Sequence, residues 1–393
     1  MHNVPPSPPR SYSMTAGIYP TSFYTPPDHD INSSGFRRNF IPAWFAVVMG
    51  TGAVDILHED LNPHFFFLNL SLFIVFAFVS LVRYIMFPEI WGIMVRHPVQ
   101  SLYTGTFPMG SITILTIAVS LIHGDYNFGG KPFMYVLWSF WWIDVLCSFL
   151  CCFGILHYMK TSHTHTLETM TPAWVLPVIT LIVTSSGGGV VASSLYKYSL
   201  NHAMVTATLS IFMVSIGLSV ALMILTIYLL RLILHGLPPG TTITSAFLPL
   251  GPTGQAGYSI LLLGQYFKTV LPLPYGSSKF LTAETTGASI NVVCAIISVV
   301  LWALASGWLF FALLGVQNIL RQTCIPFRVE TWGLIFPNGV YANLTLSLAS
   351  TFDSTFFRVW GSIYSVATVI LWCFVATRTV VLMRNKRTFE IPS

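Results

Sequence analysis

The chain has 393 residues, of which 54% are hydrophobic and only 8% charged, against roughly 25% charged in an ordinary soluble protein. Its mean hydropathy is +0.71. This composition excludes a soluble enzyme and a disordered chain, and it asks for a solvent more apolar than water. At about 20 apolar residues per crossing, the length holds roughly eight to eleven transmembrane helices.

Residues 1–36 stand apart. PPSPP at 5–9 and TPPD at 25–28 sit among Ser, Tyr and Asn with no apolar period. They read as a disordered tail and not as a signal peptide, because no basic start leads into an apolar core. Ten apolar segments follow, at about 38–57, 65–87, 103–123, 133–157, 173–193, 203–234, 243–267, 286–314, 331–351 and 358–383. The stretch 88–102 is too interrupted to span and reads as an interfacial connection. A transporter domain over 37–387 is therefore expected, with a short C-terminal tail at 388–393. With ten spans both termini share a side, and that side collects thirteen of the 18 Lys and Arg residues. Basic residues concentrate in cytoplasmic flanks, so both termini are expected in the cytosol. The same distribution explains the net charge of +5 without a nucleic acid.

Five of the six cysteines lie in apolar runs, and the chain has no CxxC and no GxxxxGK[ST]. Neither a metal, a cofactor nor ATP is expected. No nucleophile–base pair suggests an enzyme.

The odd-numbered segments share a feature. Each carries a Gly- or Pro-containing interruption: Gly50 and Gly52, Pro108 and Gly110, Gly187 and Gly188, Pro252 and Gly254, Pro337 and Gly339. The period is two helices, repeated five times. This predicts an all-α membrane protein with ten transmembrane helices, arranged as five helical hairpins in a ring around a central pore lined by the odd-numbered helices. Broken backbone at membrane depth survives only where protein or a water-filled cavity satisfies it, and half-helix N-termini favour anions. The interruptions also carry neutral hydrogen-bonding side chains: Thr51, Thr106, Ser185 or Ser186, Thr253 and Asn338, with Gln255 just after the fourth. Such residues are candidates for weak anion binding. The competing reading is that small residues simply let helices pack closely.

The motifs GTFPMG at 105–110, YVLW at 135–138 followed by Asp144, LGPTGQ at 250–255 and WGLIFPNG at 332–339 make the chain resemble the fungal sulfite efflux pumps. These form a branch of the tellurite-resistance/dicarboxylate transporter family, with fungal malate permeases and the slow-type anion channels of plants. The resemblance covers about 37–387. It implies ten helices in five hairpins, passive anion movement, a gating ring at Phe336, and homo-oligomers, trimeric in a bacterial relative. It further implies plasma-membrane export of sulfite or bisulfite, conferring sulfite tolerance, with malate or another dicarboxylate as the alternative cargo.

Phe336 and Phe107 each precede the Pro of an interrupted helix, so either ring could plug a narrow pore or merely fill space beside a kink. Asp144, mid-span on an even helix, is either a hydrogen-bonded structural acid or a protonatable coupling group. His157, His163 and His165 read as residues of a solvated cytoplasmic loop.

Overall fold

In a computed structural model, residues 41–57, 62–238, 243–273, 276–321, 327 and 329–384 are described. The expected tails at 1–36 and 388–393 lie outside them. No strand occurs among the described residues. Eleven α-helices follow one another: α1 Phe45–Leu57, α2 Asn62–Met86, α3 Pro88–Arg96, α4 Thr106–Ile117, α5 Gly130–Thr161, α6 Leu176–Leu195, α7 Leu200–His235, α8 Leu250–Val270, α9 Thr286–Leu320, α10 Ile335–Phe352 and α11 Thr355–Arg384. All ten apolar segments coincide with helices, and α3 occupies the interrupted stretch after the second. By length and apolar character seven qualify as membrane spans: α2, α4 to α7, α9 and α11, with α4 and α6 counted together with their flanking turns. The protein is an all-helical, multi-pass membrane protein.

The helices sort into two layers by composition. In α6 94% of the most apolar stretch is buried inside the protein, against 11% in α2 and 17% in α11. The poorly buried helices expose Phe78, Ile143, Ile233, Val300 and Ile370, a surface that suits lipid rather than water. α8 and α10 carry LGPTGQ and PNG, are too polar to qualify as spans on hydropathy, and are buried along most of their length. The buried helices pack in the order α1–α4–α6–α8–α10, and α10 returns to α1. Each also packs against the helix that follows it: α2 on α1, α5 on α4, α7 on α6, α9 on α8 and α11 on α10. Outer helices reach the next inner helix through indoles. Trp141 donates to the Thr184 carbonyl at 3.2 Å, Trp302 to Thr345 Oγ1 at 2.9 Å and Trp372 to Thr51 Oγ1 at 3.1 Å.

The expected helix breaks do not occur. Gly50 and Gly52, Pro108 and Gly110, Gly187 and Gly188, Pro252 and Gly254, Pro337 and Gly339 all sit inside uninterrupted α-helix. The prolines are harmless there because Pro108, Pro252 and Pro337 are each the third residue of their helix, and first-turn N–H groups have no intrahelical partner to lose. The irregularity comes earlier, as a short 3₁₀ segment leading into each inner helix: Pro42–Trp44, Gln100–Gly105, Pro172–Val175, Ile243–Phe247 and Val329–Leu334.

The glycines instead serve close approach between neighbouring inner helices. A β-carbon on Gly187 would lie 2.5 Å from Ile112 Cδ1 of α4, one on Gly251 3.3 Å from Ile179 Cδ1 of α6, and one on Gly254 3.4 Å from the Tyr341 backbone nitrogen of α10. One on Gly339 would lie 2.7 Å from Ala53 Cβ of α1, and one on Gly52 would overlap Thr113 of α4. All five inner contacts are thus built on small residues, the usual device where lipid tails give helices no hydrophobic reason to associate.

Candidate functional site

Two cavities lie among the inner helices. The wider, about 190 Å³, is bordered by the first residues of α1, α4 and α6 and by the segments leading into α8 and α10, including Met49, Tyr103, Thr106, Leu176, Ser245 and Glu330. Because the start of each inner helix, or the segment leading into it, borders this one space, the inner helices run in the same direction, with their N-terminal dipoles toward it. Glu330 is the one charged side chain among those bordering it.

The narrower cavity, about 20 Å³, lies further along the same helices. Ala53 and Ile56 come from α1, Thr113 and Thr116 from α4, Val183 and Ser186 from α6, Gln255 and Tyr258 from α8, and Phe336 and Asn343 from α10. On most of these helices the lining residues are three or seven apart, the spacing of one helical face. None carries a formal charge. Ser186 Oγ donates to the Val183 carbonyl at 2.7 Å and accepts from Gln255 Nε2 at 2.5 Å. Tyr258 and Asn343 bring a phenol and an amide to the same cavity from adjacent helices.

Phe336 is buried, is the second residue of α10 and faces this cavity. Phe107 does not. It is 36% exposed, stands edge-on to Phe45 at 5.1 Å and stacks on Phe73 of α2 at 5.6 Å. Its ring therefore fills the space between α4 and the outer layer, as an ordinary packing aromatic does.

The anion-binding candidates divide in the same way. Ser186 and Gln255 line the narrow cavity and Thr106 borders the wide one. The others are committed elsewhere. Thr51 takes the Trp372 indole. Ser185 donates to the Ser210 carbonyl at 2.7 Å and meets Ser259 at 2.8 Å. Thr253 bonds the Pro249 carbonyl at 2.9 Å. Asn338 donates to the Leu334 carbonyl at 2.7 Å and accepts from Tyr364 at 2.5 Å. The sequence reading missed Thr113, Thr116, Tyr258 and Asn343. The helical face continuing from Gln255 finds Tyr258, and the one continuing from Phe336 finds Asn343; nothing comparable marks Thr113 and Thr116 on α4.

Asp144 lies outside both cavities. It is buried on α5 and clasps two inner helices, accepting from Ser111 of α4 and, at 2.6 Å, from Thr184 of α6. Thr184 is also 2.8 Å from Ser148. Both carboxylate oxygens accept from hydroxyl donors on neighbouring helices.

At the end of the molecule that holds the wide cavity, three histidines brace two connections. His97 Nδ1 accepts from the Val99 and Gln100 N–H groups, both at 3.2 Å, fixing the turn into the Gln100–Gly105 segment. His163 bonds the Val95 carbonyl at 3.0 Å, and His165 packs on Trp174 at 4.6 Å. Burial, and then His163, holds both His97 and His165 below the usual histidine range. His163 and His165 are half-buried in a connection whose Thr164, Thr166, Glu168 and Thr169 are exposed.

Residues 39–380 match the family described as SLAC1, voltage-dependent anion channel. The chain is 35% identical over 362 residues to the sulfite efflux pump SSU1 of Arthroderma benhamiae, covering 90% of this chain and 93% of that one. It is equally similar to the sulfite efflux pump SSU1 of Trichophyton rubrum, with the same coverage. The malic acid transport protein of Schizosaccharomyces pombe is 22% identical over 347 residues, covering 85% of this chain and 76% of that one. With residues 39–380 matched by the family model and relatives at 35% identity covered almost end to end, this chain belongs to the SLAC1 family of anion channels.

Proposed function

We propose that this chain exports sulfite or bisulfite across the plasma membrane through a channel-like pore, and so confers sulfite tolerance. In this reading ten helices cross the membrane as five hairpins in a ring, and the two cavities lie along its axis. The observation that carries it is the narrow cavity. Every inner helix contributes to it, and neutral polar groups line it without a cation that would hold an anion too tightly to release. The 35% identity to sulfite efflux pumps supports the choice of cargo. No fuel is needed, because one negative charge leaving a cell whose interior is about 100 mV negative gains about 2.3 kcal/mol. A dicarboxylate cargo would favour a pair of cationic clamps, and neither cavity has Lys or Arg among its lining side chains.

Anion flux into proteoliposomes tests the proposal directly. Sulfite is expected to outpace malate, and malate outpacing sulfite would overturn the assignment. Orientation is tested separately. Both termini are placed in the cytosol, so cysteines introduced at 126–130 and 273–278 are expected to react with an impermeant reagent from outside, and those at 161–165 are not. Reaction at the last group would invert the topology. Association of copies into a homo-oligomer, with a trimer as in the bacterial relative, completes the reading. The apolar outer helices offer the surface for it.

A further inference from the structure

We infer that Gln255, Tyr258 and Asn343 form a one-sided donor face in the narrow cavity that selects oxyanions over halides. The inference rests on the pore reading above and deepens it. An anion needs protons pointed at it, and a hydroxyl carries a single one. Thr113 spends its proton on the Gly110 carbonyl at 2.8 Å, Thr116 on the Ile112 carbonyl at 2.8 Å, and Ser186 on the Val183 carbonyl at 2.7 Å. These hydroxyls turn lone pairs, not protons, toward the cavity. They are the side chains that composition alone would nominate as anion ligands, and they are the wrong ones.

The amides and the phenol differ. Gln255 Nε2 uses one N–H on Ser186 and retains a second. Tyr258 and Asn343 both border the cavity, and a phenol and an amide carry three donor protons between them, so a contact between the two leaves protons to spare. All three donors come from the adjacent helices α8 and α10, which pack on one another. The rest of the circumference supplies apolar Ala53, Ile56, Ile112 and Val183 and the three hydroxyls whose protons are already spent. Gln255 and Tyr258 are one helical turn apart, about 5–6 Å between β-carbons, a separation suited to two oxygens of one anion. An oxyanion can therefore accept from two donors at once, whereas a halide is one centre and must choose. A site built to hydrogen-bond discriminates far more strongly than one relying on shape.

The test compares wild type with Tyr258→Phe, Asn343→Leu and Thr116→Val. Sulfite, nitrate and chloride flux are measured per folded molecule in proteoliposomes, with folding checked by size-exclusion profile. One hydrogen bond to a charged group corresponds to about a tenfold change. Tyr258→Phe and Asn343→Leu are each expected to lower both the sulfite:chloride and nitrate:chloride ratios by about tenfold, while Thr116→Val leaves the ratios alone. Unchanged ratios in Tyr258→Phe would overturn the inference, as would an equal fall in Thr116→Val. Should Tyr258→Phe fail to fold, Asn343→Leu carries the same expectation. A wild type that moves nitrate and chloride but no sulfite sinks the cargo assignment alone, because the nitrate ratio still reads the donor face.

Discussion

Phe336→Ala is expected to raise sulfite flux per folded molecule by roughly tenfold and to admit larger anions. The ring borders a cavity of about 20 Å³, room for little more than one water. A hydrated anion cannot pass until the ring moves, and a displacement costing about 1.4 kcal/mol holds flux tenfold below that of the open path. Truncation removes that cost permanently. A purely packing role gives the opposite forecast. Loss of a core phenyl ring costs about 3–5 kcal/mol, which would appear as poor yield and a disturbed size-exclusion profile. A normal profile with unchanged or lower flux rejects the gate. Suspicion would not then pass to Phe107, which is stacked on Phe73 away from the cavity.

Asp144 gives the second large effect, and two substitutions separate its possible roles. Asp144→Val leaves the Ser111 and Thr184 hydroxyls facing a hydrocarbon group, at about 1–3 kcal/mol for each donor left unpaired. Because Ser111 can fall back on the Pro108 carbonyl at 3.1 Å and Thr184 on Ser148, the lower end applies. A clear fall in melting temperature and in folded yield is the expected result. Asp144→Asn keeps an acceptor for one hydroxyl and offers a donor to the other, so most transport should survive with its pH dependence unaltered. A folded Asp144→Asn protein whose flux no longer responds to pH would transfer the residue from scaffold to proton coupling.

Seven of the apolar segments were legible because a membrane demands long, continuous hydrophobic runs, and the runs end where charges and prolines gather; α1 is shorter, and α8 and α10 are more polar. The repeat on alternate helices was legible too, but its meaning was not. Gly52 and Gly187 look like breaks in a one-dimensional string, yet what requires them is Thr113 and Ile112 on another helix. Pro108, Pro252 and Pro337 look disruptive until the helix start is known, and a residue or two decides the matter. Site residues were legible only where a motif coincided with the inward face, as for Gln255 and Phe336. Tyr258 hid in the apolar run GYSILLL, and Asn343 was visible only as part of an Asn-Leu-Thr sequence. Thr51 and Asn338 were mistaken for lining because the rotation of a helix about its own axis is set by its neighbours.

The contact of α10 with α1, and the Trp372–Thr51 hydrogen bond spanning 321 positions, have a consequence for biogenesis. α1 is made before the other described α-helices, and two of its neighbours, α10 and α11, are made last. Until α10 is synthesised, the Gly50 and Ala53 face of α1 lacks the Ile335 and Gly339 it packs against. Assembly can therefore proceed hairpin by hairpin from the N-terminus, but closure waits for the end of translation. Contacts of such long sequence separation form slowly. Premature termination before α10 would leave the Gly50 and Ala53 face of α1 without the helix that covers it, a substrate for membrane quality control.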